Sequence, residues 1–280
     1  VKENKRVMGE NTFDRIREFW DRKPCNVANS AAAKGTIEYY DDLNRHRYFV
    51  EPHIPGFAKF PFWGEASILG KANVLDVGCG LGTDTISFAK EGACVTAVDI
   101  SPHSLELAMK GVELYGLGDR VEFYEVNIEE MSQKVPVKSY DLIYSFGVLH
   151  HTPNPRKAVE EMIKYANRLT VFKIMLYHRY SWKRLWGFLK YRTLDPARYS
   201  ESQLDSPITD VYSKREARKL LKGLKILDMK VNFIFPYKIS EYKDHRYVKE
   251  WYFRYMPNFL FRILEKIFGW HLLISAVKDR

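Results

Sequence analysis

Apolar and polar positions along this chain follow two periods, and the switch between them outlines its elements. Helical spacing comes first. Phe13, Ile16, Phe19 and Trp20 fall on one face of a helix expected over residues 12–22, and a second, rich in Tyr and Arg, is expected over 36–50. Pro52, Pro55 and Pro61 break the pattern ahead of an apolar stretch at 62–69. Short β-type runs then alternate with helical segments. Strands are expected at 74–77, 93–98, 121–126, 140–144 and 169–177, and two more at 224–235 and 271–278. Ser101 and Pro102 supply an N-cap and first-turn proline for one helix, and Ser213 with Glu216 a capping box for another over 213–222. Residues 178–212 read as an irregular insertion carrying a basic helix near 182–190. In the segment 256–269, Leu260, Ile263, Leu264 and Ile267 share a helical face, expected to dock on the sheet, with membrane-surface contact as the alternative. Alternating strand and helix predict an α/β fold around a parallel sheet.

The chemistry concentrates where the first strand ends, in Val74-Leu75-Asp76-Val77-Gly78-Cys79-Gly80-Leu81-Gly82-Thr83-Asp84. Alternate glycines let the backbone turn tightly and approach a ligand without a Cβ in the way. The helix that follows turns its free N–H groups toward that ligand. The spacing is not that of a nicotinamide or flavin loop, G-x-G-x-x-G/A, because Thr83 occupies the third place. No G-x-x-x-x-G-K-[ST] is present either. A carboxylate at Asp76 suits a ligand bearing a cation. The second strand ends at Asp99, placed to accept ribose hydroxyls, while the third and fourth end at Asn127 and Ser145. All four ends would meet in one crevice. The plain alternative is a glycine-rich turn that binds nothing.

With these blocks, VLDVGCGLGTDT, VTAVDIS, VEFYEVNIEEM and YDLIYSFGVLHHTPNP, the chain resembles a class I S-adenosylmethionine-dependent methyltransferase over residues 71–178. The resemblance implies a Rossmann-like seven-stranded, mostly parallel sheet with helices on both faces. An N-terminal helical cap over 1–70 and the helical insertion would be added to it. The core would run over 71–235, and a C-terminal helix and final strand over 236–280 would complete the sheet. It also implies S-adenosylmethionine as cofactor and S-adenosylhomocysteine as product. Asp76, Gly78, Cys79 and Gly80 would line the methionine part, Asp99 the ribose, and Ile100, Asn127 and Ile128 the adenine. Ser145 would lie near the sulfonium. Many members carry Asp where this chain has Asn127, and Pro-Gly-Gly where it has Asn167-Arg168-Leu169. The flanks, FWDRKPC, RYFVEPHIPGFAKF, VYSKREARKLL and GWHLLISAVK, resemble a narrower group of microbial methyltransferases with long extensions, a resemblance that does not settle the reaction.

Composition narrows the picture modestly. Three cysteines without a C-x-x-C fit free thiols in a reducing, cytoplasmic setting. No apolar leader is visible at the start, and no uncharged apolar run reaches about 20 residues. Charge is uneven: residues 165–280 carry 24 Lys+Arg against 11 Asp+Glu, so the net +9 comes from that half. Such a surface attracts phosphates, carboxylates, nucleic acid or an anionic bilayer, or stays merely solvated.

Methyl transfer from a sulfonium mainly requires proximity and orientation, and a base only for acceptors that must lose a proton. His150 and His151, after the fourth strand, are the candidates for that base; the alternative is that they pack. Tyr39, Tyr40, Arg47 and Tyr48 in the cap, and Tyr177 and His178 after the fifth strand, are candidates to line an acceptor pocket, though aromatics at helical spacing often form core. No metal-ligand spacing occurs, so no metal is expected. A small-molecule acceptor is favoured over RNA, whose amine methylases would show Asn/Asp-Pro-Pro-aromatic where this chain has Ser145-Phe146-Gly147-Val148. A silent cofactor-binding protein and an oxidoreductase complete the alternatives.

Overall fold

The apolar runs pair into one sheet. Its strands are β1 (Asn73–Val77), β2 (Cys94–Asp99), β3 (Val121–Glu125), β4 (Tyr140–Phe146), β5 (Ala166–Tyr177), β6 (Leu224–Asn232) and β7 (His271–Lys278). They lie in the order β3-β2-β1-β4-β5-β7-β6. The first five are parallel, and β7 runs antiparallel to both β5 and β6. The computed structural model describes residues 11–58, 72–199, 204–243 and 246–279, so the apolar stretch expected at 62–69 lies outside them.

Central strands are buried on both faces, as parallel strands covered by helices must be. Leu75 and Val77 of β1 join Ile143, Met162, Phe172 and Ile274 in the larger core. Val74, one residue out of phase, packs on the other face with Phe88, Leu142 and Tyr144. The chain order reverses between β1 and β4, which opens a crevice beyond their carboxyl ends.

Strand ends differ from expectation for local reasons. β5 begins at Ala166, and the Asn167-Arg168-Leu169 turn is held by the Asn167 side chain, whose Oδ1 accepts the Leu169 and Thr170 N–H groups at 2.8 and 3.1 Å. β6 stops at Asn232, because Phe233 adopts φ +72°.

Eleven helices are named here, in chain order: α1 (Asn11–Arg22), α2 (Ile37–Val50), α3 (Ile54–Ala58), α4 (Thr83–Lys90), α5 (Pro102–Leu114), α6 (Pro155–Lys164), α7 (Trp182–Tyr191), α8 (Lys214–Leu220), α9 (Ile239–Lys243), α10 (Trp251–Arg254) and α11 (Asn258–Phe268). The Ser101 cap and the Ser213–Glu216 capping box form as the sequence suggests. Helix α11 lies against β6 as expected, but not through the expected face. Leu260, Ile263 and Ile267 are left 39%, 49% and 50% exposed, whereas Glu265 is buried and accepts from Arg262. The helix is pinned from its C-terminal end. A Cβ on Gly269 would lie 2.2 Å from the Asn232 carbonyl oxygen, so only glycine lets the chain pass β6 there.

A buried carboxylate joins the N-terminal helices to the sheet. Asp84, in the first turn of α4, accepts from Arg47 Nε at 3.1 Å and Arg47 Nη2 at 2.5 Å. It also accepts from the hydroxyls of Tyr48 at 2.9 Å and Tyr144 at 3.0 Å. Arg47→Ala would leave that carboxylate buried without its cation, and is expected to lower the unfolding free energy by about 3–5 kcal/mol, read from the urea midpoint at unchanged slope. A loss no larger than that of an exposed ion pair, about 0–1 kcal/mol, would refute the clamp.

Candidate active site

The strand ends of β1, β2 and β4 open into a cleft of about 770 Å³. One end is the glycine loop. Gly78 and Gly80 have φ +78° and +54°. A Cβ on Gly78 would collide with Val148, 2.3 Å away, so that glycine is required by packing under the loop after β4. A Cβ on Gly80 would meet nothing within 4 Å. Its bare backbone borders open space, the cradle that a closely bound ligand would fill.

The carboxylates around this loop are tightly held. Asp99 accepts the Gly80 N–H and the Ser101 N–H, both at 2.9 Å, and burial pushes its pKa up against the pull of those donors. Asp76 accepts from the Thr85 hydroxyl at 2.6 Å. Burial, with Asp84 adding to it, pushes Asp76 up to about 7. A buried carboxylate so reluctant to ionise gains most from a cationic ligand. Asn127 caps the turn that follows β3 through its Oδ1, which takes the Glu129 N–H at 3.0 Å. Its amide N–H2 is the donor it can offer a ligand edge.

The cleft lining brings together Asp76, Gly78, Cys79, Gly80, Asp99, Ile100, Asn127 and Ile128 with Arg47, His151 and Tyr177. Other sequence candidates lie elsewhere. Ser145 is fully buried outside the lining, with no hydrogen-bond partner for its hydroxyl among the described residues. Tyr39 and Tyr40 are core: their hydroxyls donate to the Val27 and Leu107 carbonyls at 3.1 and 2.5 Å. Tyr48 is spent on Asp84 and Ser87. His178 is buried against the Gly269 carbonyl. Arg47 reaches the cleft, but with its charge engaged by Asp84 and by Glu51 at 3.7 Å.

The two histidines diverge. His150 is fully buried behind Tyr177, ring centroids 3.7 Å apart, with neither nitrogen hydrogen-bonded among the described residues. Burial drives its pKa well below the usual value, so it stays neutral. His151 lines the cleft, and its Nδ1–H donates to the Ile208 carbonyl at 2.7 Å. That bond sets the tautomer and leaves Nε2 as a lone pair. Burial lowers its pKa to about 4.

Sequence inspection missed a third group. Glu51, largely buried, sits 3.4 Å from His271 Nε2, and His271 Nδ1 shares a hydrogen bond with His53 Nε2 at 2.9 Å. Burial raises Glu51 to about 7 and lowers His53 to about 4. Lys183 lies over the Trp270 ring at 4.6 Å, and burial lowers it to about 8. No periodicity links residues 51, 53, 183 and 271. The one available signal was His271 opening the last apolar run.

Comparison with known proteins agrees with the geometry. A model of a methyltransferase domain family matches residues 69–209. The chain belongs to that family of methyltransferase domains. An uncharacterised protein of Synechococcus is 35% identical over 98 residues, 34% of this chain and 23% of that protein. A ubiquinone biosynthesis O-methyltransferase of Dechloromonas aromatica is 34% identical over 93 residues, 33% of this chain and 38% of that protein. The chain therefore spans less than half the length of these curated relatives. Among solved structures, magnesium protoporphyrin IX methyltransferase of Synechocystis PCC 6803 with bound S-adenosylmethionine superposes with a TM-score of 0.54 at 15% identity, covering 97% of this chain and 99% of that one. A [4+2]-cyclase superposes at 0.56 and 16% identity, covering 96% and 95%. At such identities the likeness concerns the fold alone.

The residues present fit the methyltransferase cofactor: an open Gly80 cradle, a carboxylate seeking a cation, and Asp99 at the end of β2. Calorimetry is expected to show S-adenosylmethionine binding that weakens about tenfold per pH unit below about 7, because Asp76 must lose its proton to meet a cation. Asp76→Asn should bind weakly and without that pH dependence. Gly80→Val should not bind, and Asp99→Ala should bind more weakly by roughly 1.5–3 kcal/mol. Wild-type affinity in Gly80→Val would misplace the cofactor.

Proposed function

We propose that this chain transfers a methyl group from S-adenosylmethionine, as a class I methyltransferase, to a small-molecule acceptor, with His151 receiving the acceptor's proton. The observation that carries the reading is His151 itself. It lines the same cleft as the glycine loop, in a tautomer held by the Ile208 carbonyl, with Nε2 lacking a hydrogen-bond partner among the described residues. Bound S-adenosylmethionine supplies an activated methyl group. What the chain supplies is orientation and a proton acceptor.

The lining supports an acceptor with an apolar or aromatic body. Tyr177 stacks between His150 and Trp270, the latter at 4.2 Å and 26°. Trp20 of α1 meets His151 edge-on at 4.9 Å. Phe146 and Phe233 flank His271 across the cleft. Aromatic walls bury flat apolar ligands and exclude water from the reacting atoms. The relatives named as O-methyltransferases in ubiquinone biosynthesis point to the same acceptor class. His150 has no part in this reading, because it lies behind Tyr177, outside the lining.

Incubation with methyl-labelled S-adenosylmethionine and a small-molecule extract is expected to label the small-molecule fraction and leave added RNA unlabelled. His151→Gln should reduce the rate by roughly 10²–10⁴-fold at unchanged cofactor affinity. His151 is neutral above about 4, so at saturating cofactor the wild-type rate should show no loss as the pH falls through 6.5. The loss should come only toward pH 4, where the imidazole takes up a proton. Label entering RNA alone would overturn the acceptor class, and an unchanged rate in His151→Gln would overturn the base.

A further inference from the structure

We propose that helices α7, α10 and α11 form a docking surface for an anionic lipid bilayer, seated around the mouth of the cleft. The first observation is apolar surface that nothing among the described residues covers. On α11, Phe259, Leu260, Ile263 and Ile267 are all exposed, Phe259 to 70%. On α7, Leu185, Phe188 and Leu189 are exposed, and Trp251 and Tyr255 stand out at either end of α10. Singly exposed apolar residues are ordinary, but a contiguous set this size marks an interaction site.

The set is contiguous because the three helices interlock beneath it. Trp182 of α7 packs edge-on against Tyr252 and Phe253 of α10, both at 5.9 Å, and Phe253 meets Phe261 of α11 at 5.5 Å. The outward apolar positions therefore ride on one aromatic layer. That layer is also the rim of the cleft, whose lining includes Trp182, Trp186, Tyr252 and Phe268.

Charge identifies the occupant. Residues 182–192 and 251–268 contain seven Lys and Arg and one acid, Glu265. That acid is buried against Arg262. Lys190, Arg192, Arg254, Arg262 and Lys266 are exposed among the apolar side chains. Apolar residues interleaved with cations, and Trp and Tyr at the margin, suit insertion at the level of anionic headgroups. A second copy of the chain fits poorly, because a two-fold contact would set this cationic patch against itself. No helix among the described residues is long and apolar enough to cross a membrane, so the contact is with the bilayer surface.

Sedimentation of the full chain with phosphatidylcholine vesicles, with and without phosphatidylglycerol, tests this. Binding is expected to the phosphatidylglycerol vesicles and to weaken as salt rises. The variant Phe259→Ser/Ile263→Ser/Ile267→Ser should lose at least tenfold in partitioning, and Arg254→Glu/Lys266→Glu a comparable factor. Both should keep the wild-type melting temperature and cofactor affinity, since these side chains lie outside the cleft lining and the core. Failure to bind phosphatidylglycerol vesicles would overturn the proposal. So would equal binding to both vesicle types, undiminished binding by the variants, or a solution dimer that the triple serine variant converts to monomer.

Discussion

The Asp84 carboxylate is the point on which the cleft is assembled. It accepts from Arg47 twice, from Tyr48 and from Tyr144, so one side chain ties α2, α4 and β4 together. Without that joint α2 would be held through the Tyr39, Tyr40 and Leu43 packing and through hydrogen bonds nearer the surface, such as Asn44 to Ser87 and Tyr115 to Asp41. With it, Glu51, just beyond α2, is carried to the cleft, where it meets His271, which His53 in turn contacts. Asp84 also follows the glycine loop directly. The same residue therefore secures the helix that opens behind the cofactor cradle and the wall opposite.

Burial dominates the electrostatics of the cleft. Asp76 and Glu51 are pushed up to about 7, while His53 and His151 are drawn down to about 4. Both trends favour neutral forms, the expected response of acids and bases removed from water. A largely neutral interior suits a cofactor that brings its own cation, because Asp76 can ionise against it. It also keeps His151 in the proton-accepting form across the ordinary pH range. Arg47 is the exception: the carboxylates of Asp84 and Glu51 beside it keep its guanidinium charged against the effect of burial.

Aromatic packing links the cleft to the outer surface. Tyr177, Trp270, Trp182 and Tyr252 run from beside the histidines to the rim, and the cations of the C-terminal half lie among them. Part of the basic balance of residues 165–280 is used here: Lys183 turns inward, while Lys190, Arg192, Arg254, Arg262 and Lys266 lie among the apolar side chains of α7, α10 and α11.

Much of this protein was legible in the sequence because it is local. The glycine loop, the strand runs, the Ser101 cap and the Ser213–Glu216 box each depend on neighbours a few residues apart. The order of apolar runs and helices was enough to anticipate a parallel sheet, and Asp76, Asp99 and Asn127 lie at or near the strand ends that its topology gathers. Side-chain direction was not local. Tyr39, Tyr40 and Tyr48 share a helix with Arg47, yet only Arg47 reaches the cleft, since the choice depends on what faces each side of α2. The amphipathic pattern of α11 was plain, but a helical wheel records that an apolar face exists and not what lies against it. The Glu51–His271–His53 chain was invisible for the same reason: His271 stands more than two hundred positions from Glu51 and His53, and only the folded chain brings it within reach of them.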